Sequence, residues 1–326
     1  MYSLFKFKKT LLVVLLFCIQ TLTVKAQNAK SQKFIFSALG DMPYFLPEDF
    51  ARFENVIKQI NKAPIAFSVH VGDFKSSSTP CSDEAFNKIL GYFETFKKPL
   101  IYTPGDNEWT DCHKKEAGTF SPEERLETLR KLYFKSSQSF GQEKMTLISE
   151  SSLPTFKKYV ENTRWDYSNI AFATFHAVGS NNNFLPTNYT TFNQEFYERD
   201  AANVAWIKEI FKHAKESQLS GVVLFTQADM FGAKKDLKEA SGFINILKTL
   251  QEETITYGKP VLLINGDSHE YIVDKPIIAD KKGKKTLMNF TRLQVFGELD
   301  MHTVMVTVNP ENPNLFEINP YLIEGN

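Results

Sequence analysis

Four acidic residues each follow a glycine directly, and each pair closes an apolar run: Gly40-Asp41, Gly72-Asp73, Gly105-Asp106 and Gly266-Asp267. One such pair is an ordinary turn, since Gly and Asp are common loop residues. Four of them at the ends of four candidate strands point to one shared site, because open α/β sheets place their sites at the carboxyl ends of strands. Carboxylates brought together there repel one another, by on the order of 4 kcal/mol for charges ~4 Å apart at an intermediate dielectric. Cations relieve that repulsion, so metal binding is the chemistry this pattern predicts. His269, two residues beyond Asp267, adds an imidazole from the same loop.

The elements that must position these residues alternate between short β-branched or aromatic runs and longer amphipathic stretches, the pattern of an α/β protein. Strands are expected at 33–39, 65–71 and 99–103, separated by helices at 47–60 and 84–96; Phe50, Phe53, Val56, Ile57 and Ile60 share one face of the first helix. Ser121-Pro122-Glu123-Glu124 reads as the N-cap of a helix over 121–134. The stretch 143–163 reads as a surface excursion, and 180–191 as a polar, Asn-rich loop. A second α/β run follows, with strands at 170–178, 221–226 and 261–265 and helices at 200–217 and 240–257. The tail, at 287–295, 302–308 and 315–318, reads as antiparallel strands with Asn309-Pro310-Glu311-Asn312 as a turn. No repeat or linker interrupts 27–326, which reads as one domain.

With these elements in place, the chain resembles the calcineurin-like metallophosphoesterases. That family carries Asp-x-His, Gly-Asp-x-x-Asp, Gly-Asn-His-Glu/Asp, a lone His and Gly-His-x-His, each after a strand. The same frame stands here as Gly40-Asp41-Met42-Pro43, Gly72-Asp73-Phe74-Lys75, Gly105-Asp106-Asn107-Glu108, Phe225-Thr226-Gln227 and Gly266-Asp267-Ser268-His269. The resemblance implies a four-layer α/β/β/α sandwich of two mixed sheets flanked by helices, and a pair of divalent metal ions. It implies that Asp73 bridges them, that Asp41 and His269 serve the first, and that Asp106, Gln227 and Asp267 serve the second. Pro43 replaces one histidine ligand, and Asn107 replaces the histidine that stabilises the family's transition state. Exchanging imidazoles for oxygen donors favours Mg, Mn or Ca over Zn or Fe. Loss of the second site is the competing reading of the same substitutions.

Asn107 and Glu108 are the candidate catalytic residues, Asn107 as a donor to a phosphate oxygen and Glu108 as a group orienting a loop or a ligand. His113 is a substitute acid, whereas His70 lies within a strand and reads as core. Tyr44 and Arg292 are candidates for substrate binding, Arg292 through a bidentate grip on phosphate or, equally, as a sheet-edge salt bridge. Trp109, Arg164 and Trp165 complete the candidates near these motifs.

The first 26 residues read as a secretory signal peptide: Lys6, Lys8 and Lys9 precede an apolar run over 11–17, and cleavage is expected after Ala26. The run is shorter than the ~20 residues of a spanning helix, so no stable membrane insertion is expected after cleavage. Removing Lys6, Lys8, Lys9 and Lys25 from the 38 basic residues leaves 34 against 38 acidic ones, a balance that disfavours nonspecific nucleic-acid binding. Cys18 leaves with the signal, and an exported chain keeping Cys81 and Cys112 is expected to pair them. Asn188-Tyr189-Thr190 and Asn289-Phe290-Thr291 match glycosylation sequons.

Two functions compete. One is a secreted or periplasmic metal-dependent phosphoesterase acting on a small phosphorylated substrate, a phosphomonoester or phosphodiester, with nucleic acid entering at most as a nucleotide. The other is a catalytically degenerate relative that binds a phosphate or glycan ligand.

Overall fold

The computed structural model of the protein describes residues 32–186, 193–232, 241–279 and 285–326. The signal peptide, Cys18, the sequon at Asn188 and the first residue of the helix expected at 240–257 lie outside the described residues.

The first sheet is built from β1 (Phe34–Leu39), β2 (Ser68–His70), β3 (Leu100–Tyr102), β11 (Thr303–Val308) and β12 (Phe316–Tyr321), in the order β12-β11-β1-β2-β3. Here β1, β2 and β3 run parallel, whereas β11 and β12 are antiparallel. The second sheet takes β4 (Ile148–Ser149), β5 (Thr163–Tyr167), β6 (Ile170–Thr174), β7 (Gly221–Phe225), β8 (Val261–Asn265), β9 (Ile272–Asp274) and β10 (Phe290–Gln294). Its order is β4-β5-β6-β7-β8-β10-β9, with β6, β7, β8 and β10 parallel and the outer strands antiparallel.

Among the described residues, five helices cover the outer faces: α1 (Phe50–Ile60), α2 (Asp83–Phe93), α3 (Pro122–Tyr133), α4 (Gln194–Glu216) and α5 (Ile244–Tyr257). Three apolar cores show how the layers stack. Phe53, Val56 and Ile60 of α1 pack with Phe86 and Ile89 of α2 and Leu126 and Leu129 of α3 against the outside of the first sheet. Trp206, Ile207 and Ile210 of α4 and Leu250 of α5 pack against the outside of the second. Between the sheets, Phe36, Val69 and Val306 meet Phe172, Phe225, Leu262 and Leu293. Strands buried on both faces read as continuous apolar runs, which is why the central strands are legible in sequence. The result is a four-layer α/β/β/α sandwich of two mixed sheets.

The caps follow their sequence signatures: Ser82 Oγ accepts from the Ala85 N–H at 3.2 Å, and Ser121 Oγ from the Glu124 N–H at 3.5 Å with Pro122 opening the helix. Three expectations fail. The strand expected as antiparallel at 287–295 is β10, which runs parallel to β8 and antiparallel only to β9. The helix expected at 200–217 begins earlier, at Gln194. The stretch 143–163 is not a surface excursion: it forms β4 and carries Glu150, Glu161 and Asn162, all fully buried. Among the described residues, no helix is long and apolar enough to cross a membrane.

Candidate functional site

Each of the four Gly-Asp pairs lies at the carboxyl end of a parallel strand: Asp41 after β1, Asp73 after β2, Asp106 after β3 and Asp267 after β8. Three come from one sheet and the fourth from the other, so the loops meet at one rim. The Asp267 N–H donates to both oxygens of Asp41, at 3.0 and 3.2 Å. The Asn107 N–H, next to Asp106, donates to Asp73 Oδ1 at 3.1 Å. Two glycines are required by close approach. A Cβ on Gly105 would lie 2.0 Å from Asp73 Oδ1, and one on Gly266 would lie 2.1 Å from Asp41 Oδ2. The rim is also where the backbone is strained: Asp41, Asp73, Asp267 and His269 all take left-handed angles, with φ of 51, 53, 78 and 60°. Non-glycine residues held so cost of order 1–3 kcal/mol each and persist where the surrounding structure imposes them, which marks functional sites.

Electrostatics sharpen the picture. Burial and then the Asp111 charge raise Asp106 to about 6. Burial and then Asp106 raise Asp267 to about 7. Burial raises Asp41 against the opposing pull of His269. Asp73 is raised well above the ordinary carboxylate range by burial and by the charges of Asp106, Glu108, Asp41 and Asp267. Burial lowers the His269 imidazolium, but hydrogen bonding and charge from Asp41 and Glu298 outweigh it and lift His269 to about 9. Lys75 is fully buried beneath the rim, donating to the carbonyls of Ser76 and Thr79, and burial lowers it to about 8 against the pull of Glu108 and Asp73. Carboxyl groups therefore outnumber the cations beside them, Lys75 and His269, among the described residues.

The donor types fit a hard divalent cation, since most are carboxylate oxygens. Their arrangement does not enclose one as it stands, and the two sides differ. His269 Nδ1 lies 3.0 Å from Glu298 Oε2, leaving Nε2 3.5 Å from Asp41 Oδ1. A carboxylate behind an imidazole is how a ligating histidine is usually oriented. On the other side, amide nitrogens occupy the space between carboxylates: Gln227 Nε2 donates to Asp73 Oδ2 and to Asp106 Oδ1, both at 3.0 Å. Gln227 is thus not placed as an oxygen ligand, because its Oε1 accepts from the Gly179 N–H at 2.6 Å. Among the described residues, no group of three or more His, Cys, Asp or Glu side chains is arranged to hold a metal ion.

Asn107 Nδ2 donates to Asp73 Oδ2 at 3.0 Å and to the Tyr44 hydroxyl at 3.3 Å. Both amide hydrogens are spent inside the site, which corrects the expectation of a free donor for phosphate. Tyr44, half-buried at the rim, stands edge-on to His269 with 4.8 Å between ring centres. Burial and the Asp73 charge raise its phenol well above its usual value, so it keeps its proton as a donor.

Three candidates are placed by their contacts. Glu108 takes the loop-orienting role expected of it: fully buried, it accepts from the Phe74 N–H at 2.9 Å, the Gly105 N–H at 3.1 Å and the Tyr102 hydroxyl at 3.3 Å. It ties the Asp73 loop to the Asp106 loop. Arg292 is not free for phosphate: its Nε and Nη2 fork onto Asp274 at 2.8 and 2.7 Å, and Nη1 reaches Asp229 at 2.9 Å. Asp229 in turn donates its N–H to Asp267 Oδ2 at 2.9 Å, so Arg292 braces the rim from outside. Trp165 lies in the inter-sheet core, stacked on Phe172 and Phe225.

Trp109 is buried under the rim against His176 and Arg199. His70 is core: Nε2 donates to the Met42 carbonyl at 2.6 Å and Nδ1 accepts from the Gly72 N–H, and burial lowers it to about 4. His113 is exposed, its Nδ1 on the Thr110 carbonyl at 2.6 Å. Cys81 and Cys112 form a disulfide beside the Asn107 carbonyl, pinning the Asp106 loop to the start of α2.

Sequence reasoning missed the turn Gly179–Asn182. Ser180 Oγ donates to Asp106 Oδ2 at 2.8 Å, and a Cβ on Gly179 would meet Asp267 Oδ1 at 2.6 Å and Asp106 Oδ2 at 2.8 Å. Its signal was present in Gly179-Ser180-Asn181-Asn182-Asn183, since Gly and Asn favour the left-handed angles that Ser180 to Asn183 adopt. Glu298, behind His269, carries no comparable signal.

The chain matches no family model, and no curated protein matches it. Among solved structures it is similar to GAP50, the anchor in the inner membrane complex of Plasmodium, at 12% identity over 90% of this chain and 89% of that one, with a TM-score of 0.47. It is similar to a putative 5'-nucleotidase from Staphylococcus aureus in complex with alpha-ketoglutarate, at 13% identity over 89% of this chain and 54% of that one (TM-score 0.48). It is also similar to purple acid phosphatase PPD1 from yellow lupin seeds, at 13% identity over 85% and 49% (TM-score 0.47). This chain spans about half the length of the last two.

Proposed function

We propose that the protein is an exported, divalent-cation-dependent phosphoester hydrolase. One observation carries this reading: four aspartates from both sheets, three on left-handed backbone, are buried at one rim, where burial and, for Asp73, Asp106 and Asp267, neighbouring carboxylates raise them above the ordinary carboxylate range. A fold that needed no cation there would gain from replacing uncompensated buried carboxylates, which are costly. Asp41, Asp73 and His269, which do not surround an ion as they stand, would have to close on it, and it would supply Lewis acidity and positive charge for a phosphoryl group. Around it, Tyr44 donates to the bound ester, Glu298 fixes the His269 ring, and Glu108 keeps the Asp73 and Asp106 loops in register. Asn107 cannot move a proton, so a general-acid contribution typically worth 10²–10⁴-fold is missing at that position, and esters with good leaving groups should react best.

The test is hydrolysis of a chromogenic phosphomonoester and a phosphodiester with Mg, Mn or Ca, set against Asp73→Ala. Cation-dependent turnover lost in Asp73→Ala is expected. Wild-type turnover no greater than that of the variant, with ion bound, favours the second reading, a phosphate- or glycan-binding protein. The feature supporting that alternative is the saturation of Asp73 by the amides of Asn107 and Gln227.

A further inference from the structure

The pair Asp73 and Asp106 is closed by a side chain. Gln227 Nε2 stands 3.0 Å from an oxygen of each, and its carbonyl oxygen is held at 2.6 Å by the Gly179 N–H. That last contact fixes which end of the amide faces the carboxylates: turning it over would set an NH₂ group against an N–H donor and a carbonyl oxygen against two carboxylates. The amide is held from behind as well. The Gly266 N–H donates to the Gln227 backbone carbonyl at 3.0 Å, tying it to the loop that carries Asp267. A cation shared by Asp73 and Asp106 would have to displace the Gln227 NH₂ group, and it would find Gln227 Oε1 already engaged. The far side of Asp106 is closed too, by Ser180 Oγ at 2.8 Å.

The Asp41 side is built differently. There His269 presents Nε2 toward Asp41 with Glu298 fixed behind its Nδ1, and no amide side chain donates to Asp41 among the described residues. Resting on the hydrolase reading, we infer that the Gln227 amide stands in for a second cation and closes the Asp73–Asp106 pair to a metal ion, so that the chain takes one divalent ion instead of a pair. The NH₂ group holds Asp73 and Asp106 together by hydrogen bonding, as a bridging ion would by charge, without the positive charge that would fully offset them. Asp73 is engaged on both oxygens, by the Gln227 and Asn107 side-chain amides at Oδ2 and by the Asn107 N–H at Oδ1.

The experiment counts ions instead of turnover. The full chain, freed of metal with a chelator and dialysed against manganese, is assayed by plasma mass spectrometry and by electron paramagnetic resonance. One equivalent per chain with the spectrum of an isolated ion is expected. Two equivalents with an exchange-coupled spectrum overturn the inference and leave the hydrolase reading standing; no bound ion overturns both. Gln227→His replaces the donor with a ligating imidazole and should raise the count to two. A Gln227→His protein with native near-ultraviolet dichroism that still holds one ion overturns the assignment of the amide as the excluding group.

Discussion

Two buried ionic clusters lie side by side in this protein and are built on opposite principles. In the first, under β5, β6 and α4, Arg130 grips Glu161 at 2.7 and 3.1 Å and His176 Nδ1 adds a third contact at 3.0 Å. Arg199 and Asn203 hold the His176 carbonyl at 2.8 Å, and Arg199 reaches the Asn182 carbonyl at 3.0 Å. Burial pushes Glu161 up, but Arg130 outweighs it and holds the carboxyl well below its usual range. In the second cluster, the rim, no arginine reaches any of the four aspartates among the described residues, and their protonation is favoured instead. The first cluster supplies its own counter-charge and so fixes position: through Asn182 it holds the turn that sets Ser180 on Asp106. The second has only His269 against Asp41 and the buried Lys75 beneath it, too little positive charge for four carboxyls.

The comparison breaks most sharply by mutation. Arg130→Met leaves Glu161 buried with only the His176 ring beside it, which should cost about 3–5 kcal/mol in urea unfolding. Asp106→Asn, which removes a charge from the crowded rim and keeps an oxygen for Gln227, should cost less than about 1 kcal/mol in metal-free protein. Equal losses for the two variants would abolish the distinction. Next in size is reduction of the Cys81–Cys112 bridge, whose loop of 31 residues is worth roughly 3–4 kcal/mol by chain entropy. The loss should appear as a lower thermal midpoint with dithiothreitol. A divalent ion at a hundred times its Kd should then add about 2.7 kcal/mol to wild type and nothing to Asp73→Asn, read by thermal shift.

The legible part of this molecule was its local part. Asp41, Asp73, Asp106 and Asp267 stand out because a Gly-Asp pair after an apolar strand is a signal contained in a few residues. Partners that arrive from elsewhere in the chain carried no such signal. Arg292 read equally as a phosphate grip or a salt bridge, since Asp274 lies on β9, a strand the sequence pattern does not show. Gln227 matched a ligand position by order along the chain, but which end of its amide faces the rim is decided by Gly179, 48 residues earlier. Glu161 and Asn162 looked like surface because their stretch lacks periodicity, yet buried polar groups satisfied by one another need none. The direction of β10 likewise follows from a crossover connection to β8, not from its own residues.

The smallest effect, and the one that separates the clusters without mutation, is the pH dependence of stability in chelated protein. Asp106 and Asp267 are raised to about 6 and about 7 from an ordinary 3.8, so between those values the folded chain binds more protons than the unfolded chain. Stability therefore falls as pH rises through that window. His269 acts in the same direction: raised from 6.5 to about 9, its contribution is complete below the lower value and lost as pH climbs through the upper one. Glu161 has the opposite sign, since its depressed carboxyl stabilises the fold above the ordinary range near 4.5 and that contribution is lost only at lower pH. The thermal midpoint of chelated protein should accordingly decline from about pH 6.5 to about pH 8, above the range in which Glu161 and the depressed imidazoles of His70 and His176 gain stability as pH rises. Saturating magnesium or manganese should flatten the decline, because the ion takes over the neutralising role of the protons. A midpoint that rises with pH in chelator, or a slope indifferent to the cation, would mean that the rim is compensated from within, as the Glu161 cluster is.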